Sequence, residues 1–404
     1  MKVLEKLLDY VSYETTSDPN SDTCPSSGLE LELGKHLVDE LLKYGCSEAY
    51  IDKNGYVYGT LPGDDEYYSL GLVAHMDTSF DASGKNVKPR VIEKYDGNSI
   101  NLDNGLVTSI DVYPFLKKFI GKTLVVSDGN TLLGADDKAG VAIIMEIIET
   151  LKNDPSIKHG TIKVCITPDE EIGRGADLFN YDEFKVDFCY TIDGSDYNVI
   201  AYENFNAASA LVNIKGVSVH PGSAKDKMIN AINVAHEFHD LLDHTKRPEH
   251  TEGYEGFIHA EDLSGRVERS KIEYIIRSFD LDELENFKKM ILDAKDTINK
   301  KYGKDTCFVE ISDQYRNMKE AFKDNRKPID LFFDACKTLN IEAKTEAIRG
   351  GTDGARFSLE GLPCPNLGTG GENFHGPHEL WCKQDAEQVV NLLLCMIKMM
   401  KKNH

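Results

Sequence analysis

The reactive potential of this 404-residue chain lies in a few short acidic and histidine-bearing segments. His75 and Asp77 close an apolar run in Leu72-Val-Ala-His-Met-Asp-Thr78. Residues two apart on a strand point to one face, so Asp77 can hold the His75 imidazole in one tautomer while the other ring nitrogen binds a metal. Asp136 and Asp137 stand in Leu132-Leu-Gly-Ala-Asp-Asp-Lys-Ala-Gly140, where an apolar run gives way to a helix. One Asp suffices as an N-cap. A pair exceeds that need, and a carboxylate with two oxygens can bridge two cations about 3.5 to 4 Å apart, as in two-metal hydrolases. Glu170 and Glu171 follow a strand pattern in Thr167-Pro-Asp-Glu-Glu-Ile-Gly173. Neighbouring side chains diverge, so one glutamate can bind metal while the other serves a water as general base. Asp193 repeats the placement before Gly194, and Gly370-Gly-Glu-Asn-Phe-His-Gly-Pro-His-Glu379 adds His375 and His378 in a glycine-rich loop. Two histidines and three carboxylates form a mixed nitrogen and oxygen set that suits zinc, with cobalt and manganese also matched by ligand type. Each segment also has a plainer reading, as a solvated acidic strand end or a surface histidine.

These segments need a scaffold that brings them together. Short apolar runs at Ser69–Ala74, Thr123–Val126, Thr161–Ile166 and Phe188–Ile192 read as buried strands, each leading into a charged segment. Helical spacing at Leu33, Leu37, Val38 and Leu41, stopped by Gly45, and at Val141, Ile144, Met145, Ile148 and Leu151 alternates with them. Alternation of this kind predicts an α/β fold, whose ligand sites lie at the carboxyl ends of strands. From about Ala207 the order changes to strand, helix, two strands, helix, strand, the β-α-β-β-α-β split unit of ferredoxin-like domains. In its second helix Leu284, Phe287, Ile291, Ala294 and Ile298 share one face, and Asp280 with Glu283 resembles a capping box. The expected organisation is a discontinuous catalytic domain, 1–206 and 315–404, with a central mixed sheet, and an inserted α+β domain, 207–314.

Composition narrows the function. Apolar residues make up 41% and charged residues 28%, as in ordinary globular proteins. A formal net charge of −22 repels phosphate backbones and anionic lipid, so neither nucleic acid nor a membrane is an expected partner. The nine cysteines are scattered without a CxxC pair, which fits a reduced, cytoplasmic compartment. The longest apolar run, Leu392–Ile397, is too short to cross a bilayer, and the N-terminal segment, with Leu4, Leu7, Leu8 and Val11 spaced as a helix face among charges, has no unbroken signal-like core.

Ala74-His-Met-Asp-Thr78, Gly134-Ala-Asp-Asp-Lys-Ala-Gly140, Pro168-Asp-Glu-Glu-Ile-Gly173, Thr191-Ile-Asp-Gly194, Tyr202-Glu-Asn-Phe-Asn-Ala-Ala208 and Ile348-Arg-Gly-Gly-Thr-Asp-Gly354 resemble, in order and across nearly the whole chain, the M20 metallopeptidases. Within that family the resemblance is to enzymes that act on tripeptides. It implies two zinc ions per subunit bridged by Asp136, with His75 and Asp193 completing one position and Glu171 and His375 the other. Asp77 would orient His75, and Glu170 would deprotonate the water activated by the zinc pair. The inserted domain would be a lid that also forms a homodimer, with His220 of Val219-His-Pro-Gly222 reaching the partner subunit's site to steady the oxyanion. Asn230, Arg277 and Arg349 would bind substrate near the peptide carboxylate, a grip that would measure peptide length. The expected activity is removal of the N-terminal residue from tripeptides. The alternatives are another amide hydrolase on the same scaffold (dipeptidase, carboxypeptidase or N-acyl amino acid deacylase) and a non-enzymatic metal- or peptide-binding protein.

Overall fold

The computed structural model describes residues 2–402, so the expected domain limits 1 and 404 lie outside the described residues. The chain divides into two compact units. The larger holds the chain up to Tyr202, Met318–Glu346, and the chain from Thr352 on; the smaller holds Glu203–Asn317 and Ala347–Gly351. This corrects the expected boundaries at three places, since residues 203–206, 315–317 and 347–351 cluster with the smaller unit. The physical reason is bonding: Arg349 donates to the carbonyls of Gly253 and Glu255 at 2.6 and 3.0 Å, and Asn206 accepts from the Asn317 amide at 2.9 Å.

The larger unit is built on an eight-stranded mixed sheet in the order Glu48–Ile51, Val57–Leu61, Ile162–Thr167, Leu70–His75, Phe188–Gly194, Asn366–Gly368, Val199–Asn204, Lys344–Ile348. Its centre is parallel. Leu70–His75 pairs in parallel with Ile162–Thr167, placing His75 beside Thr167, and with Phe188–Gly194, placing Val73 beside Thr191. Every residue of Leu70–His75 is buried, as expected for a strand covered on both faces. The helix Ala135–Asn153 is buried along most of its length. It lies so close to the sheet that a Cβ on Gly140 would stand 1.9 Å from the Ile192 carbonyl oxygen, so only glycine fits there. Leu124–Val126 is a buried strand as expected, and it pairs antiparallel with Arg90–Ile92 and with Leu380–Cys382 in a separate sheet over its own core of Tyr95, Leu116, Phe119 and Leu380. The N-terminal helix Val3–Tyr10 buries Val3, Lys6, Leu7 and Tyr10; of the expected face, Leu7 and Val11 are buried while Leu4 and Leu8 are half-buried.

The smaller unit is the split β-α-β-β-α-β unit. Strands Asn206–Lys215, Phe257–Arg266, Arg269–Ser278 and Cys307–Tyr315 form an antiparallel sheet, with helices Ala231–Asp240 and Leu281–Tyr302 packed on it. The five residues expected on the inner face of Leu281–Tyr302 are all buried. Asp280 caps this helix by accepting from the Glu283 amide at 2.8 Å, whereas the Glu283 carboxylate takes the Ser278 hydroxyl instead of closing the box.

Candidate active site

The parallel register sets three strand ends level, and each delivers part of one polar cluster. His75 ends Leu70–His75, with Asp77 two residues beyond; Asp193 lies at the end of Phe188–Gly194; Glu170 and Glu171 sit in a single turn, Glu170–Ile172, that follows Ile162–Thr167. The start of Ala135–Asn153 brings Asp136 and Asp137, joined by a cis peptide bond, and the loop after Gly371–Glu372 brings His375.

Asp136 stands at the centre. Its Oδ1 is 3.0 Å from His75 Nε2, and its Oδ2 is 3.2 Å from His375 Nε2. Asp193 Oδ1 lies 3.5 Å from the same His75 nitrogen, and Glu171 Oε2 lies 3.0 Å from His375 Nε2. On the far side of the His75 ring, Nδ1 is 3.3 Å from Asp77 Oδ1 and 3.0 Å from the Asp77 carbonyl oxygen. Asp77 also accepts from the amides of Glu170 and Glu171, at 3.0 and 3.1 Å, so it orients the imidazole and the glutamate turn together. Asp137 takes a different part: its carboxylate accepts from the amides of His75 and Gly140, at 3.2 and 3.1 Å, and braces the main chain.

Crowding of carboxylates in a buried place governs the electrostatics. Burial raises the Glu171 carboxyl to about 7 against the pull of His375, and raises Asp193 to about 6 against the pull of His75. Glu170 is pushed well above the carboxylate range, first by burial and then by the charges of Asp193, Asp353 and Glu171, against the pull of His75. Asp136 goes the other way: burial opposes its charge, but its bonds to His375 and His75 hold it well below the usual range. Hydrogen bonds to Asp136 and Glu171 lift His375 to about 11.

Among the described residues, two sets of three ligand atoms lie within 4.8 Å of one another, His75 with Asp136 and Glu171, and His75 with Asp137 and Asp193. The donor set fits divalent cations. The two Asp136 oxygens address different imidazoles, and Glu171 Oε1 is buried without a hydrogen-bond partner, an expense a metal ligand would offset.

His378 stands apart, with Nδ1 2.7 Å from Thr108 Oγ1 and its ring against Tyr113. The four expected substrate-binding residues belong to the smaller unit, each bonded to backbone there. His220 Nδ1 accepts from the Gly222 amide and Asn230 Oδ1 from the Ile232 amide, both as caps. Arg277 donates to the carbonyls of Ala208 and Ile276 and stacks on Tyr315, and Arg349, besides its two carbonyls, lies over Phe205. Three carboxylates were not singled out from sequence. Asp81 Oδ2 stands 3.4 Å from His375 Nδ1, as Asp77 stands to His75. Asp353 accepts from the Thr167 hydroxyl at 2.9 Å, and Glu379 accepts from three amides before Asp137. Asp81 lies a few residues from a recognised segment and Glu379 ends one, but their partners are distant in sequence, so no local signal marks their roles.

A family model described as peptidase family M20/M25/M40 matches residues 118–399. A curated relative, Peptidase T of Clostridium acetobutylicum, is 48% identical over 402 residues, covering 98% of each chain. The crystal structure of an aminopeptidase from Bacillus cereus matches with a TM-score of 0.79 at 23% identity over 99% of this chain and 98% of that one. A tripeptidase from Staphylococcus aureus matches with a TM-score of 0.79 at 23% identity over 100% and 98%. The extent of the family match and the end-to-end identity agree with the cluster at the sheet end: the chain belongs to peptidase family M20/M25/M40, enzymes that hydrolyse peptide bonds.

Proposed function

We propose that this peptidase removes the N-terminal residue from tripeptides, using two zinc ions held at the sheet end of its larger unit. One observation carries the reading: the Asp136 carboxylate addresses His75 with one oxygen and His375 with the other, the arrangement a carboxylate shared by two cations requires. On this reading His75 and Asp193 complete one position, Glu171 and His375 complete the other, and Asp77 fixes the His75 tautomer. When bound, the ions polarise the scissile carbonyl and make water acidic. Glu170 is the general base. On this reading it takes a proton from the attacking water and hands it to the leaving amine.

The names of the relatives, one an aminopeptidase and one a tripeptidase, support the substrate class. The smaller unit is read as lid and dimerisation module, with His220 serving the oxyanion in a second copy and Asn230, Arg277 and Arg349 holding the peptide carboxylate. The cytoplasm is the proposed compartment. All nine cysteines are free thiols, and no helix among the described residues is long and apolar enough to cross a membrane.

The test is incubation of zinc-loaded protein with a free tripeptide, its N-acetylated form and the corresponding tetrapeptide, with products read by mass. Release of only the N-terminal residue from the free tripeptide is the expected result. Cleavage of the acetylated or longer peptide would assign the chain to another activity of the family.

A further inference from the structure

Asp136 can serve two cations only if the turn before it is held at a fixed height, and that turn has little support of its own. Leu133 and Gly134 precede the helix, Gly134 has a left-handed φ of 83°, and the first amides of a helix have no partner within it. Glu379, only 1% exposed, supplies the missing acceptors. Its Oε2 takes the amide hydrogens of Leu133 and Gly134 at 2.7 and 2.8 Å, and its Oε1 takes that of Asp136 at 3.0 Å. Glu379 lies four residues after His375, and its own amide donates to the Gly376 carbonyl at 3.1 Å, so it belongs to the same loop as the second imidazole. One buried carboxylate thus ties the turn that carries Asp136 to the loop that carries His375.

We propose that Glu379 is a positioning residue of the metal centre, fixing the Asp136 carboxylate relative to His375 through the amides of Leu133, Gly134 and Asp136. Asp77 does the same for the other side, gripping the amides of Glu170 and Glu171 while it touches His75. The two differ in one respect: Asp77 touches its histidine directly, whereas Glu379 is joined to His375 only through the loop that carries both. Glu379 touches neither metal nor substrate in this role. Its effect passes through Asp136, in the way that groups behind metal ligands tune affinity by fixing ligand geometry. The inference rests on the reading of Asp136 as a ligand, so its test includes that residue.

The experiment loads the full chain with Co²⁺ and reads its visible absorption, its metal affinity by titration against a competing chelator, and the Tm of the chelator-treated protein. Glu379→Gln keeps the shape but turns an amide NH₂ toward at least one of the three donors. Expected are a roughly tenfold to hundredfold loss of Co²⁺ affinity, a shifted Co²⁺ spectrum, and, in the zinc-loaded enzyme, a lower kcat with KM within about twofold. In an Asp136→Asn background the same change should cost little further affinity, because the two act as one unit. Wild-type affinity and spectrum for Glu379→Gln overturn the proposal. So does an affinity loss that simply adds to that of Asp136→Asn, or one fully accounted for by a collapsed Tm. If Glu379→Gln does not fold, Glu379→Asp is read the same way: one methylene shorter, it cannot reach all three amides, and an unchanged spectrum and affinity would overturn the role. If Asp136→Asn itself retains full Co²⁺ affinity, the ligand assignment fails rather than the brace.

Discussion

The polar residues at the sheet end of the larger unit and the candidate residues of the smaller unit dispose of their hydrogen bonds differently. At the sheet end, His75, Asp136, Glu171, Asp193 and His375 face one another across 3.0 to 3.5 Å, and the backbone is braced by other carboxylates, Asp77, Asp137 and Glu379. In the smaller unit, His220, Asn230, Arg277 and Arg349 each bond to main chain or stack on an aromatic ring. Buried carboxylates crowded together with two imidazoles raise the cost of holding charge there. Residues that satisfy local backbone already have a structural use, and any substrate role is added to it. Mutations should therefore separate chemistry from stability in the first region and mix them in the second.

The largest effect should come from Glu170→Gln, which is expected to retain full metal content by elemental analysis while losing on the order of hundredfold or more in kcat. Near-normal turnover would remove Glu170 from the general-base role. Asp136→Ala should lower bound zinc by more than one ion per chain, since both positions share it; loss of a single ion would show that Asp136 serves one cation only.

Chelator-treated protein should also reveal the charge strain through pH. Glu171, Asp193, Asp353 and Glu379 hold protons to about 6 or 7 when folded, well above the usual carboxylate range. Between about pH 4 and 7 the unfolded chain sheds protons that the folded chain keeps, so stability falls as pH rises through that window. His75 and His375, both raised, continue the same trend above their ordinary range. Thermal melts of chelated protein should therefore give a lower Tm at pH 7 than at pH 5, whereas zinc should add more to Tm at pH 7, where its ligands are deprotonated. Equal melts at the two pH values would break the contrast between the regions.

Smaller effects are expected in the second region. Arg277→Ala should raise KM for a tripeptide about tenfold with kcat changed less, and should also lower Tm, because two carbonyl contacts and the Tyr315 stack are lost. Asn230→Ala should cost about 1 kcal/mol of stability as a lost N-cap, measured by urea unfolding, with the smallest change in KM of the set.

Much of the site was legible in the sequence because strand ends punctuate it. Each of His75, Glu170, Glu171 and Asp193 follows an apolar run at a spacing that fixes its face, and parallel neighbours deliver such ends to one edge. The split unit was equally legible, since its helix and strand periods alternate cleanly and the inner face of Leu281–Tyr302 is spaced without a break. Less legible were features whose partners are remote. Leu124–Val126 reads correctly as a buried strand, but which sheet it joins is set by its pairing with Leu380–Cys382, more than 250 residues away. Residues 347–351 read as a continuation of the catalytic domain, yet the reach of Arg349 to Gly253 and Glu255 gathers them into the smaller unit.

The sequence by itself determined which atoms are available for chemistry, because side-chain type and local period are properties of neighbouring residues. Residue type and spacing alone left Asp136 and Asp137 equivalent, and only the resemblance singled out Asp136; the tertiary structure gives the physical reason, since the main-chain amides of His75 and Gly140 occupy Asp137. The tertiary structure alone decided the part of Glu379, an ordinary loop glutamate in sequence, which acquires its place only when folding brings three unpaired amides within 3.0 Å of it. Backbone amides carry no sequence signature, and a buried carboxylate finds them only through the packing of segments far apart in the chain.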